Sequence, residues 1–166
     1  MQGHEICIFK KQNKGYGCKI SRACYSKRFV FGSAERVFDA FIDTQMIGRF
    51  MFGPGLRDEE IVSLSNDPRE GGSFSFIVRR QGQELDHVGE YIAIDRPRRL
   101  IFTWAVRPDL SGGGSRVVIG IAPVIDGCEL TLTHEMPHEW EDFVERSREA
   151  WGKMLDKLTE ILDDVL

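Results

Sequence analysis

Apolar residues from Trp140 to Val165 recur at steps of three and four: Trp140, Phe143, Val144, Trp151, Met154, Leu155, Leu158, Ile161, Leu162 and Val165. That spacing places them on one face of a helix, while Glu141, Glu145, Glu149, Lys153, Asp156 and Glu160 fill the other. The pattern predicts an amphipathic helix over residues 139–166, roughly 40 Å long at ~1.5 Å per residue, whose stripe needs an extended partner surface. Upstream the period changes to two. Phe74, Phe76 and Val78 alternate, as do Leu100, Phe102, Trp104 and Val106, and then Leu130, Leu132, His134 and Met136. Tyr25, Phe29 and Phe31 share one side of an earlier run over residues 24–32. Breakers separate these runs: Gly53-Pro54-Gly55, Asn66-Asp67-Pro68, Gln81-Gly82-Gln83, Asp95-Arg96-Pro97 and Asp126-Gly127. Between the first strand and the next, Ser33 can cap a short helix through Ile42, and a second short helix ends at Phe50. The predicted order is one strand, two short helices, a six-strand antiparallel meander and a long terminal helix, an α+β layout.

Composition adds bounds. The 166 residues suit one domain with a good-sized core, and 42% hydrophobic with 29% charged residues is ordinary for a globular protein. A net charge of −4 argues against a partner that needs a dominating positive field, so neither nucleic acid nor an anionic membrane surface is expected. No stretch is apolar enough to insert in a membrane or to serve as a secretory leader, and the chain is read as cytoplasmic. Lys10, Lys11, Lys14, Lys19, Arg22, Lys27 and Arg28 make the start of the chain basic, and residues 1–22 show no sustained period. They are expected to form a poorly ordered extension before a domain at 23–166. Cys7, Cys18, Cys24 and Cys128 contain no C-x-x-C pair, so they are read as reduced thiols.

His134-Glu135-x-x-His138 has the letters of a zinc-peptidase motif, whose two histidines must stand one helical turn apart. Pro137 sits inside it and an alternating run leads into it, so the helical context is missing and no metal site is expected. Gly112-Gly113-Gly114 neither follows a strand into a helix nor leads to Lys-Ser/Thr; it is read as a hairpin tip, not a phosphate cradle.

Several stretches together resemble one superfamily: Arg36-Val37-Phe38-Asp39-Ala40-Phe41, Asp67-Pro68-Arg69-Glu70-Gly71-Gly72-Ser73-Phe74, Gly89-Glu90-Tyr91, Ile94-Asp95-Arg96-Pro97, Leu100-Ile101-Phe102-Thr103-Trp104, Leu130-Thr131-Leu132-Thr133-His134 and Ala150-Trp151-Gly152. This set is similar to the SRPBCC, or START-like, superfamily, and within it to the family named after the C-terminal domain of the activator of heat-shock protein 90 ATPase. The resemblance covers about residues 25–164. It implies a helix-grip fold, in which a curved antiparallel sheet of six to seven strands wraps the terminal helix, and a cavity between the two that takes apolar small molecules. It supplies no fixed catalytic set and no cofactor. Members usually carry a tryptophan in the second short helix where this chain has Phe50 or Phe52.

Alternation and helical spacing place Phe74, Phe76, His87, Tyr91, Phe102, Trp104, Leu132, His134, Phe143, Trp151 and Met154 inward, and with Phe50 and Phe52 they make the expected ligand-binding set. A void is expected between Trp104 and Trp151. Polar residues on an inward face carry the most information: His134 either meets a buried partner such as Tyr91 or points a titratable ring into a pocket. Arg148 reads as a snorkelling surface residue and Glu90 alternates outward. The leading expectation is a carrier of a small apolar or amphipathic molecule, monomeric or homodimeric. One alternative is an enzyme of the polyketide cyclase or aromatase type using His134 with Tyr91. The other is a co-chaperone module whose partner is a chaperone or another protein, acting through its surface.

Overall fold

The computed structural model describes residues 20–108 and 111–164, with side chains over 23–108 and 114–164. The reading of a loose basic head falls mostly on residues 1–19, outside the described residues. Seven antiparallel strands form one sheet in the order β1-β7-β6-β5-β4-β3-β2. They are β1 (Ile20–Phe31), β2 (Glu60–Asn66), β3 (Ser73–Arg80), β4 (Gln83–Asp95), β5 (Arg99–Arg107), β6 (Ser111–Val124) and β7 (Gly127–Pro137). The meander runs β2 to β7, and β1 returns to lie beside β7, with Ile20 opposite Pro137 and Phe31 opposite Gly127. β1 thus begins before the expected boundary at residue 23.

Two short helices follow β1. Ser33 Oγ accepts the Arg36 N–H at 3.3 Å and starts α1 (Ala34–Ala40); Asp43 Oδ1 accepts the Gln45 N–H at 2.9 Å and starts α2 (Thr44–Phe50). Arg96 grips Asp39 through two hydrogen bonds of 2.7 and 2.8 Å, fastening α1 to the β4–β5 turn. The terminal helix is not continuous from residue 139: Pro137 ends β7, a 3₁₀ turn covers His138–Phe143, and α3 runs Val144–Asp163. Its buried stripe is Trp151, Met154, Leu155, Leu158, Ile161 and Leu162. Arg28 ties β1 to this helix by donating to Asp156 Oδ1 at 2.6 Å and to the Gly152 carbonyl at 3.4 Å.

The sheet's inner face and α3 enclose one apolar core. Two expectations change here, and a third gains its side. The triple glycine is not a loop tip but part of β6, which pairs Ser111 with Val106. Gly114 sits at φ +82° beside an irregularity in the β5–β6 register, a conformation that costs glycine little. Phe143 does not join the inner stripe; it is 39% exposed against Trp140, because the 3₁₀ turn rotates residues by about 120° rather than 100° and swings it off the helical face. Tyr25, Phe29 and Phe31 do share a side of β1, and it is the outer one: they are 53%, 45% and 48% exposed, while Cys24, Ser26 and Val30 face the core.

Candidate functional site

The expected inward aromatics assemble into one cluster. Phe74 is its hub, with ring centroids 4.7 Å from Phe76, 5.6 Å from Tyr91, 5.7 Å from Phe102 and 5.9 Å from Trp104. The hub fits because β4 has no side chain at Gly89, where a Cβ would stand 2.4 Å from Phe74 Cζ and 2.0 Å from the Thr103 carbonyl oxygen. Phe52 folds in from the loop after α2 and meets His87 in a tilted contact at 4.8 Å, and His87 meets Trp104 at 5.4 Å. Leu132 and Met154 are buried nearby, whereas Phe50 packs against Phe41 at 5.3 Å between α1 and α2. The void expected between Trp104 and Trp151 is filled by the rings themselves, whose centroids are 5.4 Å apart. Two concavities lie outside the grip. One, of about 420 Å³, runs between α1, α2 and the end of α3; the other, of about 380 Å³, lies beside it along α2 and α3.

His134 does meet buried partners, though Tyr91 is not one of them. Trp151 Nε1 donates to His134 Nδ1 at 3.1 Å, and an indole N–H can only donate, so the imidazole proton sits on Nε2. That proton faces Ser115 Oγ at 2.9 Å, and the Ser115 hydroxyl in turn donates to the Trp104 carbonyl at 2.7 Å. The chain of bonds runs from α3 through β7 and β6 to β5 with every member satisfied. Burial holds the His134 pKa at about 4, so the ring is neutral at pH 7. This is the wrong tautomer for a serine hydrolase: a base needs its Nε2 lone pair toward the hydroxyl, with Nδ1–H held by an acid. His138, the other histidine of the motif, is exposed at the start of the 3₁₀ turn with Nδ1 3.3 Å from Glu141, so the two rings do not share a helical face.

His87 is also kept neutral. Its Nδ1 lies 3.2 Å from the Phe76 carbonyl, which can only accept, and burial lowers its pKa to about 4. The Tyr91 hydroxyl donates to Asn66 Oδ1 at 2.9 Å and Asn66 Nδ2 to the Ile42 carbonyl at 2.7 Å, while burial raises the phenol to about 12. Cys24 stays a thiol, pushed up to about 11 by burial.

A charged cluster that the alternation did not reveal lies at the rim, below Phe52. The Glu59 side chain is fully buried, with Oε1 accepting the Gly53 N–H at 2.8 Å and Oε2 paired with Arg80 Nε. Arg57 Nη1 stands 3.7 Å from Glu59 Oε1. In sequence Glu59 is one of a charged run, Arg57-Asp58-Glu59-Glu60, with no apolar period to mark it as buried. Ser115 was hidden likewise, behind the glycines.

The comparisons agree with this architecture. The family model described as "Activator of Hsp90 ATPase homolog 1-like protein" matches residues 32–163. The AHSA1-like protein from Aeromonas hydrophila is 17% identical with a TM-score of 0.71, covering 87% of this chain and 94% of that one. Protein CV1439 from Chromobacterium violaceum is 20% identical with a TM-score of 0.70, covering 84% and 96%. The Aha1 dimer from Colwellia psychrerythraea is 16% identical with a TM-score of 0.67, covering 85% and 96%. No curated protein matches the chain. Among the described residues no helix is long and apolar enough to cross a membrane.

Proposed function

Because the chain belongs to the activator of Hsp90 ATPase homolog 1-like family, we propose that it is a protein-interaction module acting through its surface, with a heat-shock ATPase as its partner. The observation that carries this reading is the outer stripe of β1. Tyr25, Phe29 and Phe31 are exposed on the outer face of an edge strand, with Lys27 between Tyr25 and Phe29, Phe29 and Phe31 edge to face at 4.8 Å, and Ile125 in the β6–β7 turn 88% exposed. The three half-uncovered rings together expose roughly 300 Å² of largely apolar surface, within the range of the largest patch on a monomer, which is often functional. An edge strand also offers unpaired backbone groups to an incoming strand.

The carrier and cyclase readings draw less support. A carrier needs room where Trp104 and Trp151 touch, and a cyclase needs a base, whereas both ring nitrogens of His134 are engaged. The test is the ATPase rate of the source organism's heat-shock protein 90 with and without the chain. Stimulation by the wild type, lost in Phe29→Glu at an unchanged melting temperature, is the expected result. Unchanged ATPase and no binding would overturn the proposal. So would native mass spectrometry finding a small molecule retained in stoichiometric amount, which would return the function to the interior.

A further inference from the structure

The rim cluster holds one carboxylate and two guanidinium groups. Glu59 has spent its oxygens on the Gly53 N–H and on Arg80, which leaves Arg57 with a single pairing among the described residues, at 3.7 Å, beyond hydrogen-bond length. The cluster therefore carries one uncompensated positive charge. Arg57 is nonetheless drawn in: its side chain is only 24% exposed. Burial lowers its pKa, and Arg80 pushes the same way against the pull of Glu59. Among the described residues the sole sealed side-chain polar atom lacking a partner belongs to Asp163, so the unbonded Arg57 nitrogens all keep contact with solvent. The Leu56 and Arg57 N–H groups both donate to the Gly53 carbonyl at 3.1 Å, which fixes the turn that carries Arg57. A planar fork with open donors, carried on a hydrogen-bonded turn and short of a counter-charge, is what a carboxylate or phosphate group fits.

We propose that Arg57, backed by Arg80, anchors a binding site for a small oxyanion, a carboxylate or a phosphate, at the rim of the grip beside Phe52. The site stands apart from the β1 stripe and does not depend on the partner-binding reading. NMR titration of the full chain with inorganic phosphate, and separately with butyrate, tests it at an ionic strength held constant with sodium chloride. The Gly53 amide, bonded to Glu59, should shift and saturate. Arg57→Gln should weaken binding at least tenfold, and Arg57→Lys, which keeps charge but loses the fork, should fall between. Arg49→Gln, on α2, should match the wild type. Tighter binding of phosphate would assign the site to phosphate-bearing ligands; tighter binding of butyrate would assign it to carboxylates. Shifts that grow linearly without saturating would overturn the proposal, as would equal affinity in Arg57→Gln. Should Arg57→Gln not fold, an Arg57→Lys affinity equal to wild type would do the same.

Discussion

Acid should unfold this protein through two buried imidazoles. His87 and His134 ionise at about 4 in the native state against an ordinary 6.5, because each would carry its charge inside an apolar core. As pH falls through 6.5 the unfolded chain takes up a proton on each ring, while the native state binds them only near pH 4. The unfolded state is favoured across that window, so stability is full above pH 6.5, declines toward pH 4 and levels off below. At 1.36 kcal/mol per pH unit the gap is worth roughly 3 kcal/mol per ring. Two rings then remove an amount comparable to the whole stability of an ordinary domain, about 5 to 15 kcal/mol. The slope should approach ~2.7 kcal/mol per pH unit near pH 5, where the unfolded chain holds about two more protons than the native one. Asp39, held low by Arg96, adds its own loss only as pH falls below the ordinary carboxylate range near 3.8. Urea unfolding followed by far-ultraviolet circular dichroism from pH 7 to pH 4 measures the slope. In His134→Gln the amide can still accept from Trp151 and donate to Ser115 without titrating, so the slope should halve; His87→Gln should act alike. A stability flat across the window, or a wild-type slope in both variants, would refute the reasoning.

Two further outcomes follow from close packing. Gly89→Ala should cost at least ~3 kcal/mol by thermal or urea unfolding, since its Cβ would overlap the Thr103 carbonyl, a backbone atom that cannot swing aside; a loss under ~1 kcal/mol would show that β4 and β5 yield there. Glu59→Ala removes the counter-charge of Arg80 and Arg57, both partly exposed, and leaves the Gly53 N–H without its acceptor; it should lower stability by ~1 to 3 kcal/mol in the same assay, with Arg80→Ala in that background adding little.

Much of the sheet is legible in the chain because burial on one face leaves a period of two. Phe74, Phe76 and Val78, like Leu130, Leu132 and His134, lie inward where alternation puts them. The same rule is silent about which of two faces is inner. On β1 the more apolar side, Tyr25, Phe29 and Phe31, faces out, and the side with Cys24, Ser26 and Arg28 packs on α3. Hydrophobicity alone selects the wrong face there. Phe143 leaves the helical stripe because a 3₁₀ turn keeps a different angular step from the helix it joins. Glu59 and Ser115 are beyond any local rule: one sits in a charged run and the other behind three glycines, and only the tertiary approach of Arg80, Trp104 and His134 gives them partners.

The neighbour relation between β1 and β7 also sets an order of assembly. Among the described residues β1 has no partner strand but β7, and its inner face is covered by α3, so β1, made before the other six described strands, waits for β7 and α3. During that interval β2 to β6 can pair in sequence as they emerge, each with the strand just made, while β1 remains single with aromatic rings on one side and a bare backbone edge. Long-range closure of this kind is slow, and an apolar strand left waiting invites pairing with other chains. The segment that completes the sheet is therefore also the one that most needs shielding while the chain is being made.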